Sequence, residues 1–227
     1  IFEGAGKAFV AGADVKFFVD KLREDSFGEI FEFTSKGHEV LDSIENSQKT
    51  TIALTTGLAL GGGLELALSC DYRIGTRRSQ FRFPETSIGI YPGLGGTQRT
   101  ARICGLECSR YAILAGNFLD SVTAYDLGLL THNVDPTEVD SVVSSLIGTK
   151  PDNKYPFRPA NEVSKVVDFS KKFYSDTNIG ALLEGEIPSG FDPDDPMVSR
   201  QVKALSRGAP IALRIASELL SLSLIHI

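Results

Sequence analysis

An α/β fold is what this sequence predicts, and three observations predict it. Short apolar runs rich in β-branched residues alternate with stretches whose apolar residues recur every three or four positions. Glycines punctuate the joints between these segments through about residue 130. The 227 residues are 42% apolar and 23% charged, the make-up of a globular chain with a sizeable core. Strand–helix–strand alternation on such a chain argues for mixed layers rather than a bundle or a sandwich.

The elements follow in order. Ile1-Phe2-Glu3-Gly4 reads as the end of a strand whose earlier part is missing. Leu22–Ser47 carries Phe27, Ile30, Phe31, Phe33, Val40, Leu41 and Ile44 at helical spacing and is expected to be one helix. Thr50–Leu54 is a short β-branched run ending near Gly57, a buried strand. Gly61-Gly62-Gly63 opens Leu64–Cys70, apolar nearly all round and therefore a buried helix. Asp71–Phe83 returns as extended chain, with Tyr72, Ile74, Phe81 and Phe83 as its apolar members.

Composition shifts after Val134. Six prolines fall between 151 and 196, so 149–196 reads as a largely irregular excursion with one helix near Val163–Tyr174, and Phe191–Pro196 as a turn-rich stop. Ser206–Leu220 is helical again, with Pro210 in its first turn. The organisation expected is a core over 1–134, a helical C-terminal region over 135–220, and a non-native tail at 221–227.

Charge and composition exclude several functions. A net charge of −6 disfavours binding that relies on neutralising phosphates. No apolar run reaches the roughly 18–20 residues of a membrane span. Three cysteines are too few for a disulfide framework and fit a reducing, cytoplasmic setting. Three histidines make a His-rich metal site a poor expectation. Gly4-Ala5-Gly6 lacks the third glycine of a dinucleotide fingerprint, because Phe9 stands in its place. Gly93–Thr97 lacks the Lys-Ser/Thr of a phosphate loop, and Cys104 and Cys108 have no second ligand pair, so structural thiols are expected.

What remains carries chemistry. The glycine triplet at a strand–helix joint is a packing turn at least, and its helix N-terminus leaves main-chain N–H groups for an oxygen bearing negative charge. Gly62 is the candidate donor. Lys7–Lys16 offers the second half: Ala11, Gly12 and Ala13 let a ligand approach the backbone, two lysines bracket them, and Asp14 reads as the N-cap of a following helix. Glu65 sits among Leu64, Leu66, Ala67 and Leu68, so its carboxyl faces a packed site where desolvation raises its pKa. Glu85, between Phe83-Pro84 and Ile88, is a second acid in apolar company. Two carboxyls flanking one substrate suffice to move water and a proton across a double bond.

In order along the chain, Lys7–Lys16, Ala59–Ala67, Cys70-Asp71, Pro84-Glu85, Ile88–Arg99 and Ala124…Gly128-Leu129-Leu130 resemble the crotonase (enoyl-CoA hydratase/isomerase) family. The resemblance runs through 1–134 and resumes at Ala209–Leu220. It implies a crotonase-like ββα spiral with a helical C-terminal trimerisation region, as a homotrimer or dimer of trimers. It also implies an acyl-coenzyme A thioester as substrate. The N–H groups of Ala13 and Gly62 would hold the thioester oxygen, Glu65 would activate the water, and Glu85 would exchange the proton at C2. Ala11, Asp14, Val15 and Lys16 would line the coenzyme, which arrives with the substrate, so no separate cofactor or metal is implied. Having both glutamates favours a hydratase, a hydro-lyase. Isomerisation or thioester hydrolysis on the same fold stays open, and a non-catalytic CoA- or RNA-binding scaffold ranks below them. The long 149–196 excursion suits a subfamily fused to or associated with a 3-hydroxyacyl-CoA dehydrogenase.

Overall fold

In the computed structural model, residues 1–152 and 164–224 are described. Small and β-branched residues at Ile52–Thr55 form β3, fully buried, which pairs in parallel with β1 (Phe2–Glu3) on one side and β5 (Tyr72–Gly75) on the other. β8 (His132–Asn133) extends that sheet, giving the order β1-β3-β5-β8. A second sheet runs β2 (Ala8–Val10), β4 (Leu58–Leu60), β6 (Gln80–Arg82) and β7 (Leu119–Asp120), parallel except for the antiparallel β6–β7 pair. Short hops carry the chain between the sheets, through Gly4–Lys7, Thr56-Gly57 and Thr76–Ser79. Each turn of the chain thus gives one strand to each sheet, and helices return it for the next turn. This is the spiral of strand, strand and helix that was expected.

The elements differ from the periodicity reading in several places. Leu22–Ser47 is not one helix. α1 (Val15–Arg23) ends before Asp25, whose φ of +53° breaks the hydrogen-bond ladder, and α2 (Phe27–Glu45) begins anew. Asp71–Phe83 is not one extended run, because the turn between β5 and β6 moves the chain from one sheet to the other. In the Pro-rich stretch, α8 (Lys165–Phe173) is the expected helix; Val163, where the expectation began, lies outside the described residues. α9 (Ile179–Leu183) follows it, and the presumed stop at 191–196 starts a helix. Asp195 accepts N–H bonds from Met197 and Val198, and Pro196 occupies the first helical position, so the residues that read as a break cap α10 (Pro196–Leu205).

α11 (Pro210–Leu222) starts four residues later than the expected Ser206. Ser221 and Leu222, expected in the tail, form its last turn, and 225–227 lie outside the described residues. Leu213, Ala216 and Leu220 of α11 join Phe173, Tyr174, Ile103, Cys108 and Ile113 in one continuous core, together with the spiral's Leu64, Leu68 and Phe81. α3 (Gly62–Ser69), α4 (Gly96–Cys104) and α5 (Leu106–Ile113) form its central layer, and α6 (Ser121–Asp126) and α7 (Val139–Leu146) flank β8 in the chain. All three cysteines are buried and outside any disulfide, and burial pushes the Cys108 thiol up to about 12, which fits structural thiols.

At the far end of the first sheet, buried Asp71 accepts from the Thr51 N–H, the Thr51 hydroxyl and Lys150 Nζ. Burial alone would raise its carboxyl, but the Lys150 ammonium and these donors outweigh it and leave the pKa below the ordinary 3.8. Among the described residues no helix is long and apolar enough to cross a membrane.

Candidate active site

The site is built around the start of α3. Gly61 takes φ +50°, ψ −125°, a conformation closed to residues with a side chain, and turns β4 sharply into the helix. Its carbonyl accepts the Leu64 and Glu65 N–H groups, which leaves Gly62 in the first turn, where amides have no partner within the helix. β2 and the turn after it lie alongside. A methyl added at Gly62 would stand 3.9 Å from the Ala13 nitrogen, and one added at Gly12 would stand 4.0 Å from the Gly62 nitrogen. The two expected backbone donors are therefore brought together.

Both glutamates flank this donor pair. Glu65 is 2% exposed, and its Oε1 accepts N–H bonds from Leu94 at 2.7 Å and Gly96 at 2.8 Å. Its Oε2 faces Gly62, 3.8 Å from where a methyl there would be. Glu85 opens a 3-10 turn (Glu85–Ile88), with Oε1 turned to Gly61. Its Oε2 is buried and has no hydrogen-bond partner among the described residues. Ala209 anchors that turn from the C-terminal side by donating its N–H to the Thr86 carbonyl at 2.9 Å.

Electrostatics separate the two acids. Burial raises Glu65 to about 7, against the pull of the Gly96 and Leu94 N–H groups and of Arg99. Burial raises Glu85 further, to about 8, and the neighbouring Glu65 charge adds to the rise. As a pair they hold a proton at neutral pH, with Glu85 the stronger holder. This has a measurable consequence for stability. Each folded-state value lies above the ordinary 4.5, so the stability tied to the pair is complete below that value and is lost as pH rises through about 7 to 8. The urea midpoint should fall between about pH 5 and pH 9, and E65Q or E85Q should flatten the decline. Parallel curves for all three proteins would contradict the assignment.

The remaining expected residues lie in the exposed turn entering α1. Asp14 caps that helix as expected, its Oδ1 accepting the Lys16 N–H at 2.9 Å. Ala11, Val15 and Lys16 are exposed, as is Ala13. Two contributions escaped the sequence reading. Leu94 and Gly96 bind Glu65 through their backbones, from a glycine run set aside because it does not match a phosphate loop. Arg99 lies behind them, 4% exposed, and donates to Glu45, Asp42 and the Leu94 carbonyl. A charged residue in the buried stripe of α4 was the available signal.

Paired buried carboxylates beside two main-chain amides, on a two-sheet spiral, are the groups from which an acid–base site that also holds a developing oxyanion is built. The chain belongs to the enoyl-CoA hydratase/isomerase family, whose model matches residues 1–224, and the fold is the crotonase-like one. An enoyl-CoA isomerase/hydratase, fer4, of Mycosarcoma maydis is 44% identical over 133 residues, 58% of this chain and 47% of that protein. A crotonyl-CoA hydratase of Syntrophomonas wolfei is 38% identical over 149 residues, 65% of this chain and 56% of that one. The chain thus spans about half the length of the curated relatives it matches. In fold it resembles a carnitinyl-CoA dehydratase from Mycobacterium thermoresistibile, with a TM-score of 0.77 at 20% identity over 97% of this chain and 65% of that structure.

Proposed function

We propose that this site hydrates trans-2-enoyl-coenzyme A thioesters reversibly to 3-hydroxyacyl thioesters. The observation that carries the reading is the split carboxylate pair on the two sides of the Ala13 and Gly62 amides. Glu65, fixed by two N–H bonds and partly ionised at neutral pH, takes a proton from water as its oxygen adds to C3. The electron pair of the double bond moves to C2 and onto the thioester oxygen, where the Ala13 and Gly62 N–H groups stabilise it. One such donor is typically worth about 3–4 kcal/mol. Glu85, the stronger proton holder, delivers its proton to C2. Dehydration is the same path reversed.

Ala11, Asp14, Val15 and Lys16 line the coenzyme, with Lys16 beside its phosphates. Coenzyme A enters as part of the substrate, and the chemistry needs neither a separate cofactor nor a metal. A cytoplasmic homotrimer or dimer of trimers, with association to a 3-hydroxyacyl-CoA dehydrogenase that consumes the product, completes the proposal. Exposed Ile211 and Ile215 on α11 support packing between copies.

The test is loss of the conjugated enoyl-thioester absorbance when crotonyl-CoA meets the folded chain, with the product mass determined. A gain of one water is the expected result. A shifted double bond or free coenzyme A would replace hydration by isomerisation or thioester hydrolysis. No turnover by a folded chain that binds coenzyme A would overturn hydration of this substrate.

A further inference from the structure

The Glu65 carboxylate owes its position to groups outside the site. Its Oε1 is held by the Leu94 and Gly96 amides of the turn Gly93–Gly96, and a turn of three glycines within four residues is intrinsically soft. Something must stiffen it. Arg99, one helical turn into α4, spreads its guanidinium over three acceptors: Glu45 Oε2 at 2.7 Å, Asp42 Oδ1 at 2.8 Å and the Leu94 carbonyl at 2.9 Å. Leu94 is thus gripped twice, its N–H by Glu65 and its carbonyl by Arg99. Its side chain is wedged as well, because a methyl added at Gly37 of α2 would stand 2.6 Å from Leu94 Cδ2, and one at Gly62 would stand 3.5 Å from Cδ1.

We propose that Arg99 is a positioning residue: clamped to Asp42 and Glu45 of α2, it holds the Leu94–Gly96 turn so that both N–H groups stay on Glu65. The clamp ties α2, whose outer face carries exposed Phe27 and Phe31, to an acid on α3 that α2 itself does not bond. Planar Arg suits this role and Lys does not, since only a fork reaches two carboxylates and a carbonyl together. The charged groups around Glu65 are Arg99 from α4, Glu85 from the 3-10 turn with Arg82 of β6 behind it, and Asp42 and Glu45 from α2, which meet Glu65 only through Arg99.

The catalytic consequence rests on the hydration reading, but the clamp does not, so the decisive readouts are independent of turnover. In R99A, carbon-13 carboxyl NMR, with E65Q fixing the assignment, should show Glu65 titrating about one unit higher. Hydrogen exchange at the Leu94 and Gly96 amides should accelerate. In the hydration assay kcat should fall roughly 10- to 100-fold with little change in KM, and the basic group's limb should move to higher pH. R99K should restore most of the titration without restoring kcat.

An unmoved Glu65 titration in folded R99A would overturn the proposal. Should R99A fail to fold, D42N/E45Q keeps Arg99 and removes its anchors. Faster exchange of the two amides is then expected, and unchanged protection would overturn the clamp. A chain that hydrates no thioester yet shows these changes would leave the clamp standing and sink only the hydration reading.

Discussion

E65Q should retain its fold and its affinity for an acyl thioester while hydrating it on the order of 1000-fold more slowly. The amide keeps one oxygen for the Leu94 and Gly96 N–H groups, so the site stays assembled, but it cannot take a proton from water. General acid–base groups typically contribute between about 100- and 10,000-fold. E85Q should cost a similar factor for the opposite reason: the proton held at a carboxyl raised to about 8 is no longer there to give to C2. The double variant should be little worse than either single one, because both acids serve one transition state. Binding measured by calorimetry with a saturated acyl thioester should change little in each. Full activity in both single variants would end the two-carboxylate mechanism.

The second large effect is on the scaffold. A methyl on Gly63 would lie 2.7 Å from the carbonyl carbon and from Cβ of Val10, and closer still to the carbonyl oxygen. The obstacle is β2 backbone, which cannot rotate away as a side chain could. G63A must therefore separate α3 from β2, at a cost of about 1–3 kcal/mol or more. The same displacement parts Gly62 from Ala13, so kcat/KM should fall together with the urea midpoint. G28A is the matched control. That glycine opens onto empty space near the start of α2, and gaining a better helix former there should add up to roughly 1 kcal/mol. If G63A proved as stable and active as the parent, the close approach of β2 and α3 would be refuted.

Much of the site was legible because it depends on local contrast. Glu65 stands out as the one acid in an apolar helix, and the triple glycine before it marks a joint where backbone must be approached closely. Asp14 reads as a cap from its neighbours alone. The fold class was legible from alternation of segments, and the sheet hops were not. Nothing in Thr76–Ser79 distinguishes a kink within one strand from a change of sheet; only the pairing of β5 with β3 and of β6 with β4 decides it. The break at Asp25 was hidden because apolar spacing continues across it. Asp195-Pro196 was ambiguous for a physical reason, since the residues that end one segment are the ones that start the next helix. Arg99 was marked only as a charged residue in an apolar stripe, and its role was hidden because its partners lie 54 and 57 residues away and become neighbours only when α2 packs against the spiral.

The bond from Ala209 to the Thr86 carbonyl has a bearing on synthesis. The turn carrying Glu85 leaves the ribosome well before the segment that fixes its underside. Contacts this distant in the chain form late, after the loops between them have closed. A nascent chain with both sheets assembled would thus hold its first acid in place and its second on an unanchored turn. On the hydration reading, the proposed proton donor gains its settled position only once Ala209 has been made, and a shorter nascent chain holds that acid on an unanchored turn.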